Sequence, residues 1–405
     1  MNLFSDENLP AIAGGRPVRE KPLSYARQCI DEEDISAVVE ALRSDWLTTG
    51  PKITEFEEKF AAYVGSKYAV AVANGTAALH AAVFAAGIGP GDEVVTTPMT
   101  FVASANCVLY CGGTPVFADI DPRTYNINPD EIEKKITSHT RAVIPVHFTG
   151  QPCDLDRVNE IARKNNLIVI EDAAHALGAE YKGKKIGGLS DMTIFSFHPV
   201  KHITTGEGGM VTTNSVEFYH RLKQFRDHGV TRDRSFIAED YGPWYYEQQG
   251  LGYNYRLTDI QAALGISQLK KLSSFLERRR EVVEIYNQQF FQIKELILPY
   301  QAPYCRSAWH LYVISLDLRR LKAGRRKIFE ALRAENIAVN VHYIPVYHHP
   351  FYRFNGFNNI NCSCPFAEKL YESIISLPLY PAMSDRDVLD VIKAVHKVIN
   401  YYSYH

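Results

Sequence analysis

Two apolar runs, LIVIED at 167–172 and MTIFSF at 192–197, each end on polar side chains, and a lysine follows the second within HPVKHITTGEGG at 198–209. In an open α/β sheet, ligands bind in the crevice beyond the carboxyl ends of the strands, so Asp172, Ser196 and Lys201 are expected to face one site. A lone lysine reads as a solvated surface charge, but one wedged between an apolar strand and a glycine-rich turn also suits a buried amine with a depressed pKa, which Schiff-base chemistry requires. Taken alone, Asp172 suits equally well a cap on the turn after its strand. The GEGG segment at 206–209 lacks both the GxGxxG spacing and a trailing Lys-Ser/Thr pair, and it reads as a tight turn.

A phosphate is better accommodated at NGTAALHAA, 74–82, where the apolar run 68–73 passes into a helix. A helix N-terminus offers unpaired N–H groups and partial positive charge, which makes Gly75 and Thr76 candidates for holding a phosphate monoester, with Thr76 doubling as the N-cap. Phe101, expected to open the helix in PMTFVASANC after the run EVVTT, is a planar ring that suits either core packing or stacking on a cofactor ring. His342, His348 and His349 cluster in VHYIPVYHHPFYRF. Without carboxylate or cysteine partners at regular spacing they point to substrate contact or loop packing, and no metal is expected.

The elements that must position these groups read as an α/β fold. Strand-like runs at 68–73, 93–97, 115–118, 142–146, 167–171, 192–197 and 209–213 alternate with helix-like stretches, the pattern of a mostly parallel sheet covered on both faces. Asp31, Thr54, Thr76 and Asp154 mark helix starts, and Gly87 and Gly89 stop the third helix. From Thr258 a long helical stretch leads to strand-like HLYVISL and IAVNVHY and helix-like RRKIFEALRAEN and DVLDVIKAVHKVINYY. The expected organisation is an arm over 1–24, a large domain over 25–267, and a connecting helix with a small α+β domain over 268–405. Against 46 acidic residues, 44 basic ones leave no excess for nucleic acid or a membrane surface. No run approaches the ~18 apolar residues of a membrane span, and the N-terminus lacks a leader pattern, so a cytoplasmic enzyme is expected. Seven cysteines without a CxxC pair read as reduced thiols, including Cys107 and Cys111 one helical turn apart and Cys362 and Cys364 flanking a serine.

Six segments in order, LTTGP, NGTAAL, PMTFVASANC, EDAAHALG, SFHPVKHITTGEGG and GYNYRLTDIQAALG, resemble the DegT/DnrJ/EryC1/StrS sugar aminotransferases, fold type I enzymes that use pyridoxal 5'-phosphate (PLP). The likeness runs over nearly the whole chain from Leu23, and it implies a mostly parallel seven-stranded sheet in a large domain beside a smaller α+β one. By this likeness Lys201 is the lysine that holds the cofactor as a Schiff base and then moves the proton. Asp172 is the carboxylate paired with the pyridine nitrogen, and Phe101 is the aromatic packed on the ring. Gly75, Thr76 and Ser196 match phosphate-binding positions. Asn254 matches an asparagine that reaches the phosphate of a neighbouring subunit's cofactor, which implies a homodimer.

His175 stands near the cofactor's phenolic oxygen, where many relatives carry glutamine, and with the SFH and KHITTGEGG segments it looks most like the transaminases of the pseudaminic acid pathway. That likeness implies L-glutamate as donor and pyridoxamine 5'-phosphate (PMP) as the half-reaction form. The implied acceptor is the C4 ketone of a UDP-linked 4-keto-6-deoxy sugar, UDP-2-acetamido-2,6-dideoxy-β-L-arabino-hexos-4-ulose. Tyr25, Trp46, Leu47, Thr48, His342 and Tyr343 would then line the nucleotide-sugar pocket. Amination of another UDP- or dTDP-linked keto-sugar at C3 or C4 is an alternative, and so is a non-catalytic PLP-binding sensor. Lys201 argues against the dehydratases of the family, which carry histidine there, and the missing GxGxxG argues against nicotinamide chemistry.

Lys201→Ala is expected to fold yet to lack both the visible absorbance of a cofactor Schiff base and transamination. Appreciable activity in that variant would defeat the assignment.

Overall fold

The computed structural model describes residues 9–239, 241–355 and 363–404. Its main sheet has seven strands, in spatial order Tyr68–Val72, Gly209–Thr213, Met192–Ser196, Ile168–Asp172, Thr140–Ile144, Glu93–Thr96 and Thr114–Phe117. Neighbours are parallel except Gly209–Thr213, which is antiparallel to the strand on either side. Cover on both faces explains the near-continuous apolar runs. One face packs Phe56 and Phe60 against Phe195 and Phe197, and the other packs the alanine-rich helix Gly75–Ala85.

Local chemistry sets the helix starts. Asp31 accepts from the N–H groups of Glu33 and Asp34, and Asp154 from that of Arg157. Two expected caps move. Thr54 lies inside helix Pro51–Val64, which opens on Gly50 and Pro51, because proline's fixed φ and missing N–H suit the first helical position. Asn74, not Thr76, caps Gly75–Ala85, its Oδ1 accepting from Ala77 N at 2.8 Å. Gly87, at φ 78°, takes the left-handed turn after that helix.

Helix Asp259–Phe290 opens on a capping box between Thr258 and Gln261 and, at 32 residues, extends about 48 Å. Position 267 therefore falls within one continuous helix. Its first half buries Ala262, Ile266, Leu272 and Leu276 in the sheet core. Its second half buries Val282, Val283, Tyr286 and Phe290 in another core, shared with strands Tyr312–Leu316 and Ile374–Leu377 and helices Arg325–Ala334 and Asp385–Tyr402.

The run IAVNVHY does not become a strand. It keeps two isolated bridges, Leu23 with Ile337 and Asn340 with Ser376. Asn340 Oδ1 accepts from Val341 N at 2.8 Å, a local bond that competes with a ladder and lets the chain turn at His342 and Tyr343. Cys29, Cys107, Cys111, Cys153, Cys305 and Cys364 are free thiols, and Cys362 lies outside the described residues. Among the described residues no helix is long and apolar enough to cross a membrane.

Phe60 sits edge-on to Phe195 and Phe197, with ring centroids 5.0 and 5.5 Å away. Phe60→Ala is expected to cost about 3–5 kcal/mol of stability in urea unfolding, the range for emptying such a site. A loss below about 1 kcal/mol would mean that this aromatic layer is not part of the cooperative core.

Candidate active site

The carboxyl ends of the parallel strands open on a cavity of ≈ 1160 Å³. Lys201, in the turn after Met192–Ser196, lines it with its amine 3.5 Å from Nε2 of His310. Burial pushes the amine down from the ordinary lysine range to about 8, Asp172 pulls it up, and the charge of Arg279 pushes it further down. Arg279 is buried on the long helix, and burial lowers it to about 10. Its Nη1 donates to the carbonyls of Trp309, His310 and Leu379 at 3.2, 3.3 and 2.9 Å. Asp172 ends strand Ile168–Asp172 and is oriented by two donors, Ser104 Oγ at 2.6 Å and Ala174 N at 3.1 Å.

His175 packs its ring 4.3 Å from that of His310, and its Nε2 lies 3.0 Å from the Tyr343 hydroxyl. Burial, with the positive charge of Lys201 adding to it, holds His175 well below the usual histidine range, so the ring is neutral. Among the described residues its buried Nδ1 has no hydrogen-bond partner.

Gly75 and Thr76 form the first turn of Gly75–Ala85 and line the cavity beside Ser196. A Cβ on Gly75 would lie 2.9 Å from Ser196 Cβ, so glycine is what lets the helix start approach the strand end. Phe101 does not open a helix. It stands two residues ahead of Ala103–Tyr110, half-exposed in the cavity wall, with its ring centroid 6.3 Å from that of Tyr343.

The C-terminal half contributes Asn340, His342, Tyr343 and His349, and Tyr25 comes from just beyond the N-terminal arm. His342 Nδ1 lies 2.8 Å from Ser376 Oγ, and burial pushes its pKa down to about 4. His348 does not line this cavity and instead lies 3.8 Å from Glu368. Among the described residues, no group of three His, Cys, Asp or Glu is placed to hold a metal.

Three residues expected in the substrate pocket are not brought to this cavity. Trp46, Leu47 and Thr48 are exposed on a segment fastened to the start of the long helix, with Asp259 N donating to Leu47 O at 3.1 Å and Gly50 N to Asp259 Oδ1 at 2.9 Å. That anchor holds them away from their own chain's pocket. Asn254, bridged to Asp227, is exposed as well.

Conversely, His310, Arg279, Ser104 and Asn340 did not stand out in the sequence. Arg279 lies in the run Arg278, Arg279, Arg280, which reads as a solvated helix face. Ser104 had as its signal no more than its nearness to Phe101 in the PMTFVASANC segment.

A model of the DegT/DnrJ/EryC1/StrS aminotransferase family matches residues 28–396. The spore coat polysaccharide biosynthesis protein SpsC of Bacillus subtilis is 46% identical over 93% of this chain and 97% of its own. The solved structure of Helicobacter pylori PseC, an aminotransferase involved in the biosynthesis of pseudoaminic acid, matches with TM-score 0.87 and 34% identity over 94% of this chain and 100% of its own. Spr1654 of Streptococcus pneumoniae, assigned as a sugar aminotransferase and solved in PLP and PMP forms, matches at TM-score 0.87 and 33% identity over 94% of this chain and 99% and 98% of its own, respectively.

PLP is the cofactor of this family, and the residues present fit it. The set comprises a desolvated amine, an oriented carboxylate, a histidine with one unpartnered buried nitrogen, and a helix N-terminus that only glycine leaves open. Because only the neutral amine attacks the aldehyde, capture of PLP by cofactor-free protein is expected to quicken about tenfold per pH unit and level off above about pH 8, read by visible absorbance. A rise that continues toward the ordinary lysine range would show that the amine is not shielded. The chain belongs to the DegT/DnrJ/EryC1/StrS aminotransferase family and is a PLP-dependent sugar aminotransferase.

Proposed function

We propose that the protein transfers an amino group from L-glutamate to C4 of a UDP-linked 4-keto-6-deoxy sugar, as in pseudaminic acid synthesis. The observation that carries this reading is the cavity. At ≈ 1160 Å³ it exceeds the roughly 300–1,000 Å³ of ordinary small-molecule sites, and its far wall is built by Tyr25, Asn340, His342 and Tyr343. A cofactor and glutamate leave much of that space to spare, which suits an acceptor made of a sugar and a nucleotide. The likeness to PseC, an aminotransferase involved in the biosynthesis of pseudoaminic acid, supports that pathway for the acceptor.

PLP supplies an aldehyde for amine exchange and a ring that accepts electrons. Lys201 would tether it, and Asp172 would keep the pyridine nitrogen protonated. Gly75, Thr76 and Ser196 would take the phosphate, Phe101 would cover the ring, and the neutral His175 would sit at the phenolic oxygen. Freed from the cofactor, Lys201 Nζ would accept the α-proton of glutamate and would also hand a proton back, since a single amine within reach can serve both transfers. The acceptor half-reaction reverses these proton movements, giving ping-pong kinetics.

Exposure of Trp46, Leu47, Thr48 and Asn254 supports a homodimer in which each chain lends these residues to its partner's pocket. The bridge between Thr48 and Thr258 keeps the two segments close together.

The test is amination of a panel of UDP- and dTDP-linked 3-keto and 4-keto sugars with L-glutamate, with products identified by mass and NMR. The UDP-linked 4-keto-6-deoxy sugar is expected to react fastest. Reaction of C3 ketones alone would overturn the acceptor assignment, and no loss of visible cofactor absorbance with glutamate alone would favour a sensor.

A further inference from the structure

The N-terminal arm is tied to the C-terminal half by a buried carboxylate that the reaction does not use. Glu335, 0% exposed, follows helix Arg325–Ala334. Its Oε1 accepts from Ala11 N at 2.7 Å, and its Oε2 accepts from Val18 N at 2.8 Å and from the Lys397 ammonium at 3.1 Å. Lys397 also donates to Arg16 O at 2.5 Å. One carboxylate thus closes residues 11–18 into a loop against the small core, with its charge matched by a lysine that is itself nearly buried.

Beyond the loop the arm is held at successive points. Arg19 meets Asp387 and Asp390, each at 2.8 Å, and Asn336 Nδ2 donates to Arg19 O at 2.7 Å. Leu23 then exchanges backbone bonds with the residues flanking Ile337, Leu23 N donating to Asn336 O and Ala338 N to Leu23 O, both at 2.9 Å. Two residues later Tyr25 reaches the cavity, its carbonyl accepting from Leu379 N at 3.1 Å and its ring 5.6 Å from that of His342. Glu335 and Asn336 lead directly into the Ile337 to Tyr343 segment that forms the acceptor side of the site. The same carboxylate therefore fixes both the arm that delivers Tyr25 and the start of the segment that delivers His342.

We infer that Glu335, paired with Lys397, is a positioning residue for the amino acceptor: by stapling the arm it sets the Tyr25 and His342 wall, and it has no part in the chemistry at Lys201. The inference rests on the reading of that wall as the acceptor side. It differs from a purely structural role in one respect. Loosening the staple should harm the sugar half-reaction and spare the glutamate half-reaction, because Lys201, Asp172 and Gly75 are held by the sheet and not by the arm.

The experiment compares holoenzyme of the wild type, Glu335→Gln and Arg19→Ala. Arg19→Ala is the variant that keeps the buried pair, and it leaves Asp390 with Arg386 at 3.1 Å. Hydrogen exchange of residues 9–24 reports the arm, single-turnover bleaching by glutamate reports the donor half-reaction, and KM and kcat for the best keto-sugar report the acceptor half-reaction. Glu335→Gln is expected to speed exchange in the arm and raise the sugar KM by about tenfold, a displaced wall being enough for a loss of that order, with glutamate bleaching within about twofold of wild type. Arg19→Ala is expected to shift the same two readouts in the same direction by less. An unchanged sugar KM despite a released arm would overturn the inference, as would parallel losses in both half-reactions. If Glu335→Gln does not fold, Arg19→Ala decides by the same two criteria. Failure of the wild type to aminate any keto-sugar would count against the proposed acceptor, a result distinct from a failure of the staple.

Discussion

Lys201 is held where water is scarce and where a buried guanidinium opposes its charge, and the fold is arranged around aiming its amine and making it easier to deprotonate than a solvated lysine. Among the described residues no carboxylate lies within hydrogen-bond reach of Arg279, so its positive field is felt at the site and is not cancelled locally. Asp172 pulls the other way. Its place at the strand end and its bonds to Ser104 and Ala174 fix where that pull is exerted. An amine near neutrality serves equally as nucleophile and as base, which a solvated lysine does poorly at physiological pH.

The parallel sheet makes this arrangement possible. Strands running in one direction bring their carboxyl ends to one edge, and the helix Gly75–Ala85 presents its N-terminus at the same edge beside Ser196. A carboxylate, a lysine and an anion-binding helix end therefore converge without any of them being close in sequence. Beneath them the buried pair His147 and Glu171, 2.8 Å apart, ties the loop after Thr140–Ile144 to the strand that carries Asp172. Their bond satisfies two polar groups that have no access to water.

The long helix has a second task besides joining two cores. Through Arg279 it fastens the Trp309 and His310 backbone on one side and the Leu379 turn on the other. His310 stands beside the lysine, and Leu379 holds the backbone at Tyr25. The parts of the cavity wall at His310 and at Tyr25 are thus referenced to one rigid element.

Much of this was legible in the sequence. Seven apolar runs fixed the strands because parallel strands buried on both faces leave little room for polar residues. Lys201, Asp172, Gly75, Thr76, Ser196 and Phe101 could be singled out because they follow strands or start a helix, where local sequence dictates direction, whereas His175 was named from family likeness. Tyr25, His342 and Tyr343 were named from family likeness alone, and the fold brings them to the same cavity. The strand expected at 337–343 did not form because Asn340 turns back on its own backbone. The caps at Thr54 and Thr76 moved because Pro51 and Asn74 are better starts. What only the tertiary structure decided is which distant groups surround the lysine. His310, Arg279 and Glu335 carry no local pattern, since burial of a charge depends on what packs over it and not on its neighbours in the chain. For the same reason the sequence could not place Trp46, Leu47, Thr48 and Asn254. Their direction is set by the anchor on Asp259 and the bridge to Asp227, contacts that exist only once the chain has folded.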